Sequence, residues 1–194
     1  MKKASALAWW IFSLCIFIIF CIVDLTSYAR ADDSPSITNL SIEKNTKYLL
    51  VSCTVKNGFT SDIINALKSG IVVKFNYDLE LTIPGFIKDQ SILSKTINKT
   101  IMLDTIKNEY RITLTQENTR IITTTDINDA NDIIFNINQY PLAPITILEK
   151  NKTYKVRIKL STDKIITDLP LNTILNTFST FGYKTKWYET NFQY

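Results

Sequence analysis

Alternation of apolar and polar residues is the feature that most constrains how this chain can fold. Between residues 75 and 83 every second residue is apolar, and the residues between them are polar. The same period of two occurs in residues 49–55 and 154–160. Because successive side chains of a strand point to opposite faces, each segment predicts a strand with one buried face. Half-buried strands of this kind are typical of an antiparallel sheet that packs on one side.

Further strands and helices complete the predicted fold. Strands are predicted at residues 37–43, 92–103, 110–116 and 184–190. Helices are predicted from Thr60 or Ser61 to Gly70, from Thr125 or Asp126 with Ile127, Ala130, Ile134 and Ile137 on one face, and from Pro170. This order lacks the strict strand–helix alternation that a parallel sheet requires. We predict an α+β, β-rich fold: an antiparallel sandwich-like sheet with two or three short helices, plus an N-terminal signal or anchor helix.

The N-terminus has the layout of an export signal. Lys2 and Lys3 precede an uncharged run of 20 residues at positions 4–23, and Ala29 and Ala31 form a small-x-small cleavage pattern. The run is also long enough to span a bilayer as a retained helix. Both alternatives place the lysines in the cytoplasm and the later residues across the membrane. We therefore expect a signal peptide or uncleaved anchor at 1–31 and one extracytoplasmic β-rich domain at 32–194, periplasmic or anchored to the inner membrane.

Composition excludes several functional classes. The chain has no histidine, which removes Ser-His-Asp triads, Cys-His pairs and histidine-containing zinc sites. Neither a nucleotide loop nor a dinucleotide fingerprint is present. The net charge of +4 gives little support to nucleic-acid binding. We predict no cofactor, no metal site and no catalytic residue. After residue 31 the only cysteine is Cys53, which lies in phase with the apolar residues of its strand and is expected to be buried.

Two sets of acidic residues are weak candidates for chemistry. Asp78 and Glu80 lie two apart on the polar side of one strand, a spacing that would suit acid–base work in a hydrolase or a hard cation. A solvated strand face produces the same spacing. Asp126, Asp129 and Asp132 recur near a helix start, where capping and dipole interactions are the default interpretation.

Basic and aromatic residues near the C-terminus are the candidate binding residues. Lys155, Arg157 and Lys159 form a stripe that could contact lipid headgroups, a phosphorylated polymer or an acidic partner; the favoured alternative is a charged edge strand that repels its own kind. Trp187 and Tyr188 are neighbours on a predicted strand, so we expect one in the core and one available for binding.

Several segments resemble a known family. Residues 51–81 contain Phe59-Thr60, Asp62-Ile63, Ala66-Leu67, Ser69-Gly70 and Glu80 in the family's order. Later segments follow in order: Leu103-Asp104 with Glu109-Tyr110-Arg111, Tyr140-Pro141-Leu142 with Tyr154-Lys155-Val156-Arg157, and Leu169-Pro170-Leu171 before Trp187-Tyr188. With these residues the chain resembles an uncharacterised proteobacterial exported family, catalogued as domain of unknown function 4390, over most of residues 36–190.

The resemblance implies an N-terminal signal or anchor and an extracytoplasmic domain. The family has no established activity, so the resemblance supplies no catalytic residue. Relatives of this kind are often encoded near sensor histidine kinases, which implies a role near envelope sensing. The sequence therefore predicts a non-enzymatic binding or interaction module in the periplasm. The alternatives are an accessory subunit of a membrane sensor kinase, in contact with the membrane through residues 4–23 if these are retained, and a carboxylate-based hydrolase.

Overall fold

A computed structural model describes residues 34–115, 118–165 and 182–194. Helix α1 is Ser61–Lys68, helix α2 is Ile127–Phe135, and a 3₁₀ helix covers Ile145–Ile147. The strands are β1 Ser36–Lys44, β2 Tyr48–Lys56, β3 Val72–Ile83, β4 Gln90–Asp104, β5 Glu109–Thr115, β6 Thr119–Thr124, β7 Asn136–Pro144, β8 Thr153–Ile165 and β9 Tyr188–Gln193.

The strands form two antiparallel sheets, as the alternation predicted. The smaller sheet has the order β1-β2-β7, and the larger has the order β6-β5-β4-β3-β8-β9. Strand β3 pairs with β4 on one side and with β8 on the other, so the most strictly alternating segment of the sequence lies in the interior of the larger sheet.

One hydrophobic core joins both sheets and both helices. The apolar side of β3 supplies Phe75, Tyr77, Leu79 and Leu81, all fully buried. Removal of each such side chain from water stabilises the fold by roughly 1.5–3 kcal/mol. The opposite side of β3 is only partly buried, which is the one-sided burial that a period of two predicts.

Local signals place both helices. The Thr60 side chain accepts a hydrogen bond from the Ile63 backbone nitrogen at the start of α1, and Gly70 follows that helix with a φ of 74°. Asp126 caps α2 in the same way. The prediction that Ile137 lies on this helix is wrong: the chain becomes extended at Asn136, and Ile137 is buried as a residue of β7.

The sequence missed two strands and misplaced one boundary. In β6 the adjacent residues Ile121 and Ile122 break the alternation, and β7 contains prolines and irregular pairing with β2. The last strand begins at Tyr188 rather than 184, because Lys184 forms only an isolated bridge with Ser161. The predicted helix at Pro170 and the predicted segment 1–31 lie outside the described residues. Within the described ranges, no helix is long and apolar enough to cross a membrane.

Candidate functional site

The candidate residues of two distant segments meet on the polar side of the larger sheet. Strand β3 pairs with β8 so that Asp78 lies opposite Lys159 and Glu80 opposite Arg157. Cross-strand neighbours on one face lie close enough for their side chains to interact. We call this surface the charged face, and it comprises Asp78, Glu80, Asp89, Lys155, Arg157, Lys159, Trp187 and Glu189.

Every cation of the charged face has a carboxylate partner. Glu80 Oε2 lies 2.6 Å from Nη2 and 2.7 Å from Nε of Arg157. Asp78 Oδ2 lies 3.2 Å from the Nζ atom of Lys159. The remaining cation of the stripe, Lys155, contacts Asp89 Oδ2 at 2.9 Å and Glu189 Oε1 at 3.8 Å.

The contact between Lys155 and Asp89 shifts the pKa values of both side chains. The hydrogen bond from Lys155 lowers the pKa of the Asp89 carboxyl, and the backbone N–H of Gly85 adds to this effect. The same hydrogen bond to Asp89 raises the pKa of Lys155. Both shifts favour the charged forms, so the pair stays ionised over a wider pH range than separate side chains would.

The edge-strand interpretation of the basic stripe is wrong. Strand β8 lies between β3 and β9, and its charges are explained by the carboxylates on the strands beside it. The charged face contains three cations and four carboxylates, so it is not an excess-positive surface. This balance removes the argument for lipid headgroups or phosphorylated polymers, because a polyanion requires net positive charge.

Trp187 extends the charged face with an aromatic ring. The Arg157 guanidinium carbon lies 4.6 Å from the ring centroid and the Lys159 ammonium nitrogen lies 4.4 Å from it. Both distances are within the range of cation–π attraction. Trp187 is partly buried, and Tyr188 is 43% exposed. The prediction that one of these two aromatic residues lies in the core is therefore wrong: Tyr188 begins the edge strand β9, and Trp187 comes directly before it.

Three of the acidic candidates, Asp78, Asp126 and Asp129, accept hydrogen bonds from other groups, whereas Asp132 lines the cavity described below. Asp78 accepts a hydrogen bond from the Thr96 hydroxyl at 3.1 Å, besides its ion pair. Asp126 accepts from the Asn128 backbone nitrogen at 2.8 Å, which confirms its capping role. Asp129 accepts from the Thr124 hydroxyl at 3.0 Å. No cluster of three metal-ligating side chains occurs among the described residues.

Cys53 is buried, as predicted. It is 3% exposed on β2, and burial raises the pKa of its thiol to about 12. A thiol in this state is protonated at neutral pH and is a poor nucleophile.

A buried lysine was not selected from the sequence. Lys99 is 4% exposed and projects from the apolar side of β4, where burial lowers its pKa to about 8. Its Nζ atom donates to the backbone oxygens of Ile133, Ile134 and Asn136 at 2.8, 3.0 and 2.8 Å. The ammonium therefore satisfies carbonyls at the end of α2 that have no partner within the helix. The sequence did contain a sign of this burial, because the lysine lies between Ile97 and Ile101 among the alternating apolar residues of its strand.

Lys99 also lines a cavity of about 730 Å³ beneath the larger sheet. The cavity is bounded by the sheet on one side and by α2 and β7 on the other. Its lining includes Lys99, Leu114, Arg120, Asp132 and residues 136–141. The volume lies within the range of ligand-binding clefts.

These observations define a class of protein: a β-rich domain of two antiparallel sheets. It has a cavity and a charged face on which each cation is paired with a carboxylate. The family model described as "Domain of unknown function (DUF4390)" matches residues 32–191. The chain therefore belongs to this family, as its resemblance indicated. Neither a curated protein nor a solved structure matches the chain.

Proposed function

We propose that this protein is an exported, non-enzymatic interaction module of the bacterial envelope, with its two sheets packed as a sandwich. Residues 32–194 would lie in the periplasm, either released after cleavage of the N-terminal segment or held at the inner membrane by residues 4–23. The charged face is the surface through which the module would bind another envelope protein, of which a sensor kinase is one candidate.

The arrangement of Glu80, Arg157 and Trp187 is the observation that carries this proposal. Arginine and aromatic residues are the types most enriched at energetic hot spots of protein interfaces. Here the ion pair with Glu80 and the ring of Trp187 hold the Arg157 side chain in place, while 32% of it remains exposed. A cation that is already ordered loses less side-chain entropy when a partner binds.

The balance of charge favours a protein partner over a polyanion. The charged face presents both signs in alternating rows, which a partner with complementary rows of charge can match. Such complementarity provides orientation and specificity in protein association.

A hydrolase based on Asp78 and Glu80 receives no support from the geometry. Each carboxylate forms an ion pair with a lysine or arginine of β8. A general acid or base must be within hydrogen-bond reach of the proton that it transfers, and these contacts hold each carboxylate against a cation of β8 instead.

Photo-crosslinking in intact cells tests the proposed surface. A benzophenone amino acid is placed at position 189 and, as a matched control, at position 188. Both residues are exposed on β9, but Glu189 lies opposite Arg157 on the charged face, whereas Tyr188 lies opposite Ile158 on the other side of the sheet. A crosslinked protein of defined mass is expected from position 189 alone, and Trp187→Ala is expected to abolish it. Equal crosslinking from both positions, or none from 189, would contradict the proposal.

The same cells test export. Intact-protein mass spectrometry of the purified chain distinguishes removal of residues 1–31 from their retention. An alkaline phosphatase fusion at the C-terminus is expected to be active, because that enzyme requires the oxidising periplasm for its disulfides. Activity of a cytoplasmic reporter alone would overturn the proposed location.

A further inference from the structure

The four edge strands of the two sheets differ in how well they are protected from pairing with another chain. Strand β7 contains Pro141 and Pro144 and has irregular pairing. Strand β1 has a register shift and a residue with positive φ, Asn39. Prolines and bulges are the devices that natural sheets use to block edge pairing. Strand β9 is contacted by β1 of the other sheet, through the Lys44 ammonium and the Tyr194 ring among others.

Strand β6 has none of these devices. Its six residues pair with β5 in an uninterrupted register, and none of them is proline. Among the described residues no strand neighbours its outer edge, so alternate residues direct their N–H and C=O groups away from the sheet. Ile121 is 62% exposed on this strand, a large apolar side chain that an added strand would cover.

The core-facing side of β6 leads into the cavity. Lys99, Leu114 and Arg120 lie directly opposite one another on β4, β5 and β6 and form one row across the sheet. All three line the cavity, and the exposed residue Arg120 ends the row at the free edge. A strand added to β6 would place a core-facing side chain beside Arg120.

Arg120 differs from the cations of the charged face in having no carboxylate partner. No ion pair or hydrogen bond joins its guanidinium to another residue in the described part of the chain. The cavity row therefore carries two cations, Lys99 and Arg120, against the single carboxylate of Asp132 in the lining. An arginine with free donors favours a carboxylate ligand, which it can bind through two parallel hydrogen bonds.

We propose that β6 is a docking edge for an extended peptide segment of a partner protein, and that this segment carries an acidic side chain directed at Arg120. The peptide would extend the larger sheet to a seventh strand by main-chain hydrogen bonds. Alternate side chains would lie over the cavity and over Ile121. Main-chain pairing supplies affinity in this mode, and the side chains that face a pocket supply specificity.

The test uses the full-length chain in detergent micelles and synthetic peptides. The probe is acetyl-Thr-Val-Thr-Glu-Thr-Val-Thr-amide, in which glutamate and valines share one face of a strand. One control peptide has Gln in place of Glu. A second has Pro at the third and fifth positions and cannot donate those main-chain hydrogen bonds. Binding is measured by fluorescence anisotropy, and amide hydrogen exchange locates the contact.

The expected result is protection of amides within Thr119–Thr124 on addition of the glutamate peptide. Binding should weaken about tenfold for the glutamine peptide and equally for Arg120→Gln, which is the usual size of a charge-assisted hydrogen bond. The two changes together should cost no more than either alone. Arg111→Gln is the matched control, because Arg111 lies on the opposite side of β5 from the cavity row, and it should leave binding unchanged.

Other outcomes overturn the proposal. Binding that is insensitive to both Arg120 and the glutamate, or that protects no β6 amide, would exclude this edge as an acidic-peptide site. Self-association with protection of β6 in the absence of peptide would show that a second copy occupies the edge. None of these outcomes bears on the charged face, whose test uses Trp187 and Glu189, so the two proposals fail separately.

Discussion

The buried ammonium of Lys99 makes a quantitative prediction about stability and pH. In the folded protein its pKa is about 8, against 10.5 for a free lysine, because desolvation disfavours the charged form. Replacement by methionine keeps the length of the side chain and removes the titration. It also leaves the carbonyls of Ile133 and Asn136 without this donor, so Lys99→Met is expected to destabilise the fold by about 1–3 kcal/mol at about pH 7.

The pH dependence follows from the direction of the pKa shift. Between pH 8 and 10.5 the unfolded chain binds more protons at Lys99 than the folded chain does, so rising pH stabilises the folded wild-type protein. The lowering from 10.5 to about 8 corresponds to about 3 kcal/mol when the titration is complete. From about pH 7 to about pH 10 the gain is about 2–3 kcal/mol. Lys99→Met lacks this contribution.

Urea denaturation of both proteins at about pH 7, 8, 9 and 10 measures the effect. The stability of wild type relative to Lys99→Met is expected to increase steadily over that range. Tyr77 and Tyr183, whose pKa values burial raises, are present in both proteins, so their contributions cancel in the difference. A stability difference that stays constant to within about 0.5 kcal/mol would refute a lowered pKa at Lys99.

Three further predictions concern stability. Relative to Cys53→Ala, wild type should lose about 1 kcal/mol of stability between about pH 7 and about pH 10, because burial raises the pKa of the thiol from 9.0 to about 12 in the folded protein; a gain in urea denaturation would contradict this. A double-mutant cycle of Glu80→Gln and Arg157→Gln should give a coupling of about 0.5–1 kcal/mol that falls in about 1 M salt, and coupling that ignores salt would exclude an ion pair. Gly58→Ala should lower the free energy of unfolding by about 1–3 kcal/mol, because the added methyl would overlap the ring of Phe135. Thermal unfolding measures this, and an unchanged Tm would show that the ring can move.

Strands with one buried face were predictable because burial and sequence period coincide in them. In β3 the apolar phase is unbroken, and the α1 cap at Thr60 requires only residues three positions apart. In β6, by contrast, Ile121 and Ile122 are adjacent because the first is exposed at a free edge and the second faces the interior. The local pattern of apolar and polar residues does not indicate which strand will lie at the edge of a sheet, so β6 could not be predicted from its alternation.

The candidate site was predictable residue by residue but not as an arrangement. The sequence identified Asp78, Glu80 and the basic stripe as separate features. Their pairing depends on the register of β3 against β8, which joins Glu80 to Arg157 across 77 positions. Lys99 is a similar case, since its carbonyl partners belong to a helix end 34–37 positions away.

The position of β3 beside β8 also determines when the chain can fold during its synthesis. As the polypeptide emerges from the ribosome, β3 can pair with β4, but its other side stays open until the residues of Thr153–Ile165 have been made. Closing so long a loop is slow compared with local pairing. The nascent chain therefore stays without its finished sheet for most of translation.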